Sequence, residues 1–245
     1  MLPYLPSRVA AAMAALFLAL TSVLVVTSPA SAQSGVSCDL PESDADSLVV
    51  LNTFYPNKYV WDDAHLTAAV QAAPNVDPAQ VAAIQDAIDA WGDVLAQCFD
   101  GAITLTDVTG KVRAQRADIT VHYVPYGGGN VFGGMAICGV GGCPNVIVRS
   151  EFSPGIPVED YPPYYTYYTA LHELGHALGL GHATNLMESS DLMGYGWDRT
   201  DLPDPVFSEC DIAALAYIWS WALEGGTPSQ PGPGTLEPTF DCSTA

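Results

Sequence analysis

The 245-residue chain is short of positive charge: seven Lys and Arg stand against 27 Asp and Glu, a formal net charge of −20. The acidic count is ordinary, and the scarcity of bases makes the imbalance. A field of that sign repels phosphates, which argues against nucleic acid as a partner. It suits a soluble extracellular protein, and a solvated acidic surface is its simplest account. Paired Cys-x-x-Cys clusters are missing, which argues against zinc held by cysteines. No internal repeat is present. The glycine cluster YGGGNVFGG, residues 126–134, lacks a GK[ST] ending and no helix pattern follows it, so it is not a phosphate loop. Beyond residue 26 no stretch is long and apolar enough to span a bilayer.

What is present begins with a transport address. Arg8 supplies a positive start, an apolar run follows from Val9 to Val26, and Ala30-Ser31-Ala32 has the small-x-small form read by signal peptidase. Residues 1–32 are therefore expected to be a signal peptide cut after Ala32. An uncleaved anchor is the rival, because the run approaches spanning length. Export implies a secreted protein with no membrane attachment after cleavage. All six cysteines follow the cleavage site, and an even count in an oxidising compartment predicts three disulfides. Cys138 and Cys143 flank the flexible GVGG and are placed to close a small local ring. Cys38, Cys98, Cys210 and Cys242 allow three pairings that the sequence leaves open.

Hydrophobics at 49% and aromatics at 10% describe a globular chain. Residues 33–46 read as a short N-terminal segment, 47–224 as one domain, and 225–245 as a Pro/Gly-rich tail. Asp77 and Pro78 form a helix start, and Val81, Ile84, Ile88, Trp91 and Leu95 recur at helical spacing as a core stripe. Ala102–Val108 and Ala117–Val124 alternate and are rich in β-branched residues, so both are expected to be strands. MAIC and NVIVRS suggest two further short extended segments around the Cys138–Cys143 loop. Ser208, with Asp211 three residues on, caps a last helix over 209–223, its buried face made of Ile212, Leu215, Ile218, Trp219 and Leu223. His122 reads as a sheet-surface residue; Asp118, Asp160 and Asp191 read as surface groups. The run YPPYYTYYT, 161–169, either lines a cleft or packs.

Only five histidines occur in the chain, and three of them, His172, His176 and His182, sit within eleven positions in ALHELGHALGLGHAT. The segment 169–178 suits a helix. Residues four apart share a helix face, so His172 and His176 point the same way and can share one ion. Glu173, beside His172, can reach a metal-bound water without binding the metal. Gly179 ends the helix with a left-handed residue, and the following turn returns His182 to the same point. Three protein ligands leave a fourth position open, as in catalytic rather than structural zinc. The bland alternative, core histidines on a buried helix, needs a separate partner for every imidazole.

This stretch resembles the metzincin zinc endopeptidases, whose pattern HExxHxxGxxH is complete from His172 through His182. The likeness implies a methionine turn, and DLMGYG at 191–196 fits it, with Met193 as the floor residue and Met187 as a competitor. Tyr195 resembles the tyrosine that astacin-like and serralysin-like members use as a movable metal ligand and transition-state donor; the alternative is a packing aromatic. The helix–strand order from Asp77 to Leu223 resembles the matrixins. The expected fold is α+β and metzincin-like: a twisted mixed sheet with an active-site helix, a second long helix and a C-terminal helix. The histidine-rich loop that holds a second zinc in matrixins is missing, so one catalytic zinc is expected, with calcium as a further candidate cation. No EF-hand or RTX repeat supports the calcium. Cys38 could act as a thiol lid on zinc, but a disulfide is favoured. A monomer acting on protein or peptide substrate is expected, the segment near Gly133–Ile137 binding substrate as an added strand. A secreted zinc-binding adhesion module without catalysis is the alternative, and the retained Glu173 speaks against it. A hydrolase of non-peptide amides is a third reading with no sequence support of its own.

Overall fold

The computed structural model describes residues 38, 48–50, 61–111, 116–124, 133–139, 141–149, 162–182, 192–194, 207–226 and 239–241. The expected signal segment, Met187, Tyr195, Asp160, Asp191, Cys242 and most of the tail lie outside the described residues. Two compact units, Met1–Ser34 and Gly35–Ala245, divide the chain. Every element below belongs to the second.

Element order is β1 (Leu48–Val50), β2 (His65–Ala72), α1 (Pro78–Phe99), β3 (Thr104–Asp107), β4 (Ile119–Val124), β5 (Gly134–Gly139), β6 (Gly142–Arg149), α2 (Pro163–Ala177), α3 (Glu209–Ile218), α4 (Ser220–Leu223) and β7 (Thr239–Asp241). Five strands form one mixed sheet in the order β3-β2-β4-β6-β5. β2 runs parallel to β3 and β4, and β4 parallel to β6; β5 alone is antiparallel, at the edge beside β6. Apart from it, β1 pairs antiparallel with β7, so the end of the Pro/Gly-rich segment is a strand. The architecture is the α+β arrangement that the metzincin resemblance implied. Among the described residues no helix is long and apolar enough to cross a membrane.

α1 starts as its sequence dictates. Asp77 accepts from the Ala79 amide at 2.9 Å, Pro78 takes the first helical position, and Asp100 ends the helix at φ 48°. Ile84, Ile88, Trp91 and Leu95 are fully buried, while Val81 is only half-buried at the rim of the stripe. α1 packs on α2 and on β2 and β3; α2 packs on β5 and β6. The core between them joins Leu66, Ile119, Val121, Val146 and Val148 from the sheet to Leu171 and Leu174 from α2 and Leu178 at its C-cap.

Three expectations need correction. The helix that carries His172 and His176 begins at Pro163 rather than Thr169, because the tyrosine run continues the helix and Pro163 sits where its missing N–H costs nothing. The last helix is interrupted: α3 stops at Ile218, Trp219 leaves helical geometry at φ −99° and ψ 17°, and α4 resumes at Ser220. Leu223 is 40% exposed, not part of the buried face. The Ser208 and Asp211 capping box is present, the side chain of each accepting from the other's amide at 3.0 Å. Asp118 is exposed and accepts from the Thr67 amide and hydroxyl. His122 is half-buried and meets Asn145 Oδ1 at 3.0 Å.

No cysteine among the described residues is free. Cys138 pairs with Cys143 across the β5–β6 turn, and Cys38 pairs with Cys98 at the end of α1, which removes the thiol-lid alternative. Cys210 is disulfide-bonded as well.

Candidate metal centre

α2 carries His172, Glu173 and His176. A Schellman motif closes it: the Gly179 amide donates to His176 O at 3.0 Å and the Leu180 amide to Gly175 O at 2.9 Å. Gly179 makes the reversal possible at φ +111°, where any side chain is strained, and a Cβ there would also lie 3.1 Å from Ile218. Two carbonyls of the helix end remain, and indoles meet both. Trp61 Nε1–H donates to Ala177 O at 2.9 Å, and Trp219 Nε1–H to Leu178 O at 2.9 Å. All four terminal carbonyls are thereby satisfied.

Beyond that turn the chain brings His182 back. The candidate ligand nitrogens of His172, His176 and His182 all lie within 4.8 Å of one another. His176 Nε2 and His182 Nε2 are 3.0 Å apart. Rings 172 and 182 stack with centroids 5.3 Å apart, and ring 176 stands nearly perpendicular to both. His172 Nδ1 lies 2.8 Å from Leu192 O, and His176 Nδ1 lies 2.8 Å from Leu180 O. A carbonyl only accepts, so each Nδ1 carries the proton and each Nε2 presents a lone pair. Burial pushes His176 below the ordinary histidine value, with the Leu180 carbonyl opposing; burial pushes His182 down to about 4, with His176 adding to it. Both rings are therefore neutral at neutral pH and ready to coordinate.

These residues fit zinc. Nitrogen ligands at about 2.0–2.1 Å in tetrahedral geometry are about 3.3 Å apart, close to the spacing of His176 and His182. With its Nε2 a lone pair, His176 needs either a proton from His182 or a shared cation. The Nδ1 bonds to backbone carbonyls are the supporting bonds that metal-binding histidines make. His172, His176 and His182 would hold the ion.

Glu173 is 7% exposed, and its Oε2 has no hydrogen-bond partner. Burial pushes its carboxyl up to about 8, while a bond from the Ala136 amide pulls the other way. A cation nearby favours the ionised form. The groups that seat Glu173 were not legible in its own segment. They come from β5, where Ala136 donates its amide and Gly134 presses so closely that a Cβ there would lie 2.5 Å from Glu173 Cγ and 2.7 Å from Oε1. Arg149 N–H donates to Gly133 O, which sets residues 133, 135 and 137 to bond with β6. The backbone groups of Gly134 and Ala136 therefore face the open edge, in the segment expected to take substrate.

Met193 is fully buried, its Sδ 2.6 Å from where a Cβ on Gly175 would stand. It lies under α2, beside the Leu192 carbonyl that orients His172. Tyr195 lies outside the described residues. The Cys138–Cys143 bridge closes the far end of β5, its Cys143 Sγ 3.7 Å from His176 O.

No family model matches the chain. An interstitial collagenase of Oryctolagus cuniculus is 27% identical over 148 residues, 54% of this chain and 28% of that one. The interstitial collagenase of Bos taurus is 28% identical over 210 residues, 77% of this chain and 39% of that one. The chain thus spans well under half the length of the collagenases it matches. Among solved structures, high choriolytic enzyme 1, a hatching-enzyme zinc protease of Oryzias latipes, is similar at 16% identity and TM-score 0.39, covering 70% of this chain and 98% of its own. It is the collagenase likeness, with the complete zinc motif gathered into one three-imidazole cluster, that makes this chain metzincin-like.

Proposed function

We propose that the protein is a secreted zinc-dependent endopeptidase in which Glu173 is the general base. The observation that carries the reading is the buried, part-unpaired carboxylate of Glu173 next to three converging imidazoles. Zinc, when bound, lowers the pKa of a coordinated water to about 7 and polarises the scissile carbonyl. His172, His176 and His182 would hold the ion, and the Leu192 and Leu180 carbonyls fix two of the rings. Glu173 Oε2 takes the proton from the attacking water and hands it to the leaving amine. The Ala136 amide holds the carboxylate in place. An extended peptide lies along β5 and bonds to the outward backbone groups of that strand. Met193 is the floor beneath the ligands, Gly179 the turn that recruits His182, and Tyr195 the donor to the developing oxyanion. The leader ending at Ala32 and the disulfide bridges support export.

The test is digestion of casein and of a peptide library by metal-quantified wild type and Glu173→Gln, with and without chelator. Cleavage by wild type that chelator abolishes, with Glu173→Gln slower by at least about 10²-fold at unchanged zinc content, is expected. One tightly held zinc without chelator-sensitive cleavage would turn the assignment to the adhesion module.

A further inference from the structure

We propose that Trp61 and Trp219 are positioning residues of the metal centre, acting through the helix-ending turn between His176 and His182. The proposal rests on the zinc reading above and extends it to two residues that bond to backbone carbonyls rather than to the ligand rings. Ala177 O and Leu178 O are the two carbonyls of α2 that the Schellman motif leaves open, and each takes one indole N–H at 2.9 Å. The two indoles come from distant parts of the sequence. Trp61 precedes β2, and its ring is pressed on Gly142, where a Cβ would lie 2.5 Å from the indole and where φ is +118°. Trp219 sits at the break between α3 and α4, fully enclosed, with Trp221 tilted against it at 5.8 Å.

The geometry between these bonds decides the site. Leu180 O orients His176 through Nδ1, and two residues later His182 meets His176 at 3.0 Å. A buried carbonyl that loses its donor bears a desolvation cost, which rotation of its own peptide toward another partner relieves. Rotation at Ala177 or Leu178 moves Leu180 O and His182 together. The residue that makes the second of these bonds is also the one at which the helix breaks.

Trp91 supplies an internal control. Its indole donates to Leu171 O at 2.9 Å, but that carbonyl lies mid-helix, where the amide four residues on already serves it. Losing the Trp91 bond therefore leaves no orphan and moves no ligand.

The experiment compares Trp61→Phe, Trp219→Phe and Trp91→Phe by zinc affinity in competition with a chelator, by the visible spectrum of the cobalt(II) form, and by thermal unfolding without metal. Trp61→Phe and Trp219→Phe are expected to weaken zinc binding about 10-fold or more and to change the cobalt spectrum. Trp91→Phe is expected to unfold earlier with both metal readouts unchanged. Zinc affinity and cobalt spectrum like wild type in Trp61→Phe and Trp219→Phe overturn the proposal, as does an equal change in Trp91→Phe. If either phenylalanine variant fails to fold, benzothienylalanine at the same position keeps the ring and removes only the N–H, and the same two outcomes decide. Wild type that binds no zinc, or a His176→Ala variant that binds it unchanged, defeats the zinc reading itself and is separate from failure of the positioning role.

Discussion

Substitution of Gly134 by alanine tests whether the placement of Glu173, rather than its presence alone, sets the rate. Gly134 lacks the backbone geometry that excludes side chains, so alanine meets no local penalty there. Its Cβ would lie 2.5 Å from Glu173 Cγ, 2.9 Å from Cδ and 2.7 Å from Oε1. Carbon atoms rest at about 3.5–4.0 Å, so β5 and Glu173 must part by about 1 Å. Overpacking of that order costs about 1–3 kcal/mol of stability. A misplacement of about 1 Å costs about 10²-fold in rate. The atoms nearest the new methyl all belong to Glu173, so the first effect falls on that carboxylate and zinc content should hold. The assay is kcat/KM on a quenched fluorogenic peptide with zinc measured in parallel, and Gly139→Ala is the control because a Cβ there meets nothing within 4 Å. Gly134→Ala that keeps kcat/KM within about threefold of wild type refutes the reasoning. Loss of zinc in step with the rate refutes it too, because the damage would then lie in the ligands.

Gly175→Ala places a Cβ 2.6 Å from Met193 Sδ and 3.3 Å from the Trp91 ring, and should destabilise by about 1–3 kcal/mol despite about 1 kcal/mol of helix propensity gained, measured by urea unfolding. The Cys38–Cys98 bridge closes 60 residues and Cys138–Cys143 only 5, so chain entropy gives about 4 against about 2 kcal/mol. Paired alanine variants should lower the denaturant midpoint in that order, and the reverse order contradicts the account. On α1, burial raises the Asp89 carboxyl above its ordinary 3.8, and Asp107, Asp93 and Asp86 raise it further against Lys111. The folded state therefore holds that proton more tightly than the unfolded chain, and stability is lost as pH rises through the raised value. Asp89→Asn should melt higher than wild type at pH 7 and lose that advantage below pH 3.8; an unchanged or lower midpoint at pH 7 counts against it.

Much of the frame was legible because its signals are local. Asp77 and Pro78 start α1, and Ser208 and Asp211 cap α3, with no help from distant residues. Alternating β-branched residues located β3 and β4 to within two residues. β2 was missed although it lies between β3 and β4. Its sequence, HLTAAVQA, is rich in alanine, which has poor strand propensity, and Leu66, Ala68 and Ala69 are buried without strict alternation. The burial of a central strand comes from tertiary packing, which its own composition does not record. The break at Trp219 was missed for a related reason: Ile212 to Leu223 has helical periodicity throughout, and the partner of the Trp219 indole, Leu178 O, lies 41 residues away.

The same distinction governs the site. His172, Glu173, His176, Gly179 and His182 fall within eleven consecutive positions on one helix and one turn, so spacing alone brings the candidate ligands together. What orients them is remote: Leu192 lies 20 residues from His172, Trp219 lies 41 from Leu178, and Trp61 lies 116 from Ala177. Gly134 and Ala136 reach Glu173 from another strand. A linear motif records which atoms would bind and react. The bonds that orient those atoms are made where strand edges and helix termini meet, and several of them, the two indole bonds above all, also satisfy backbone carbonyls that the helix end leaves open.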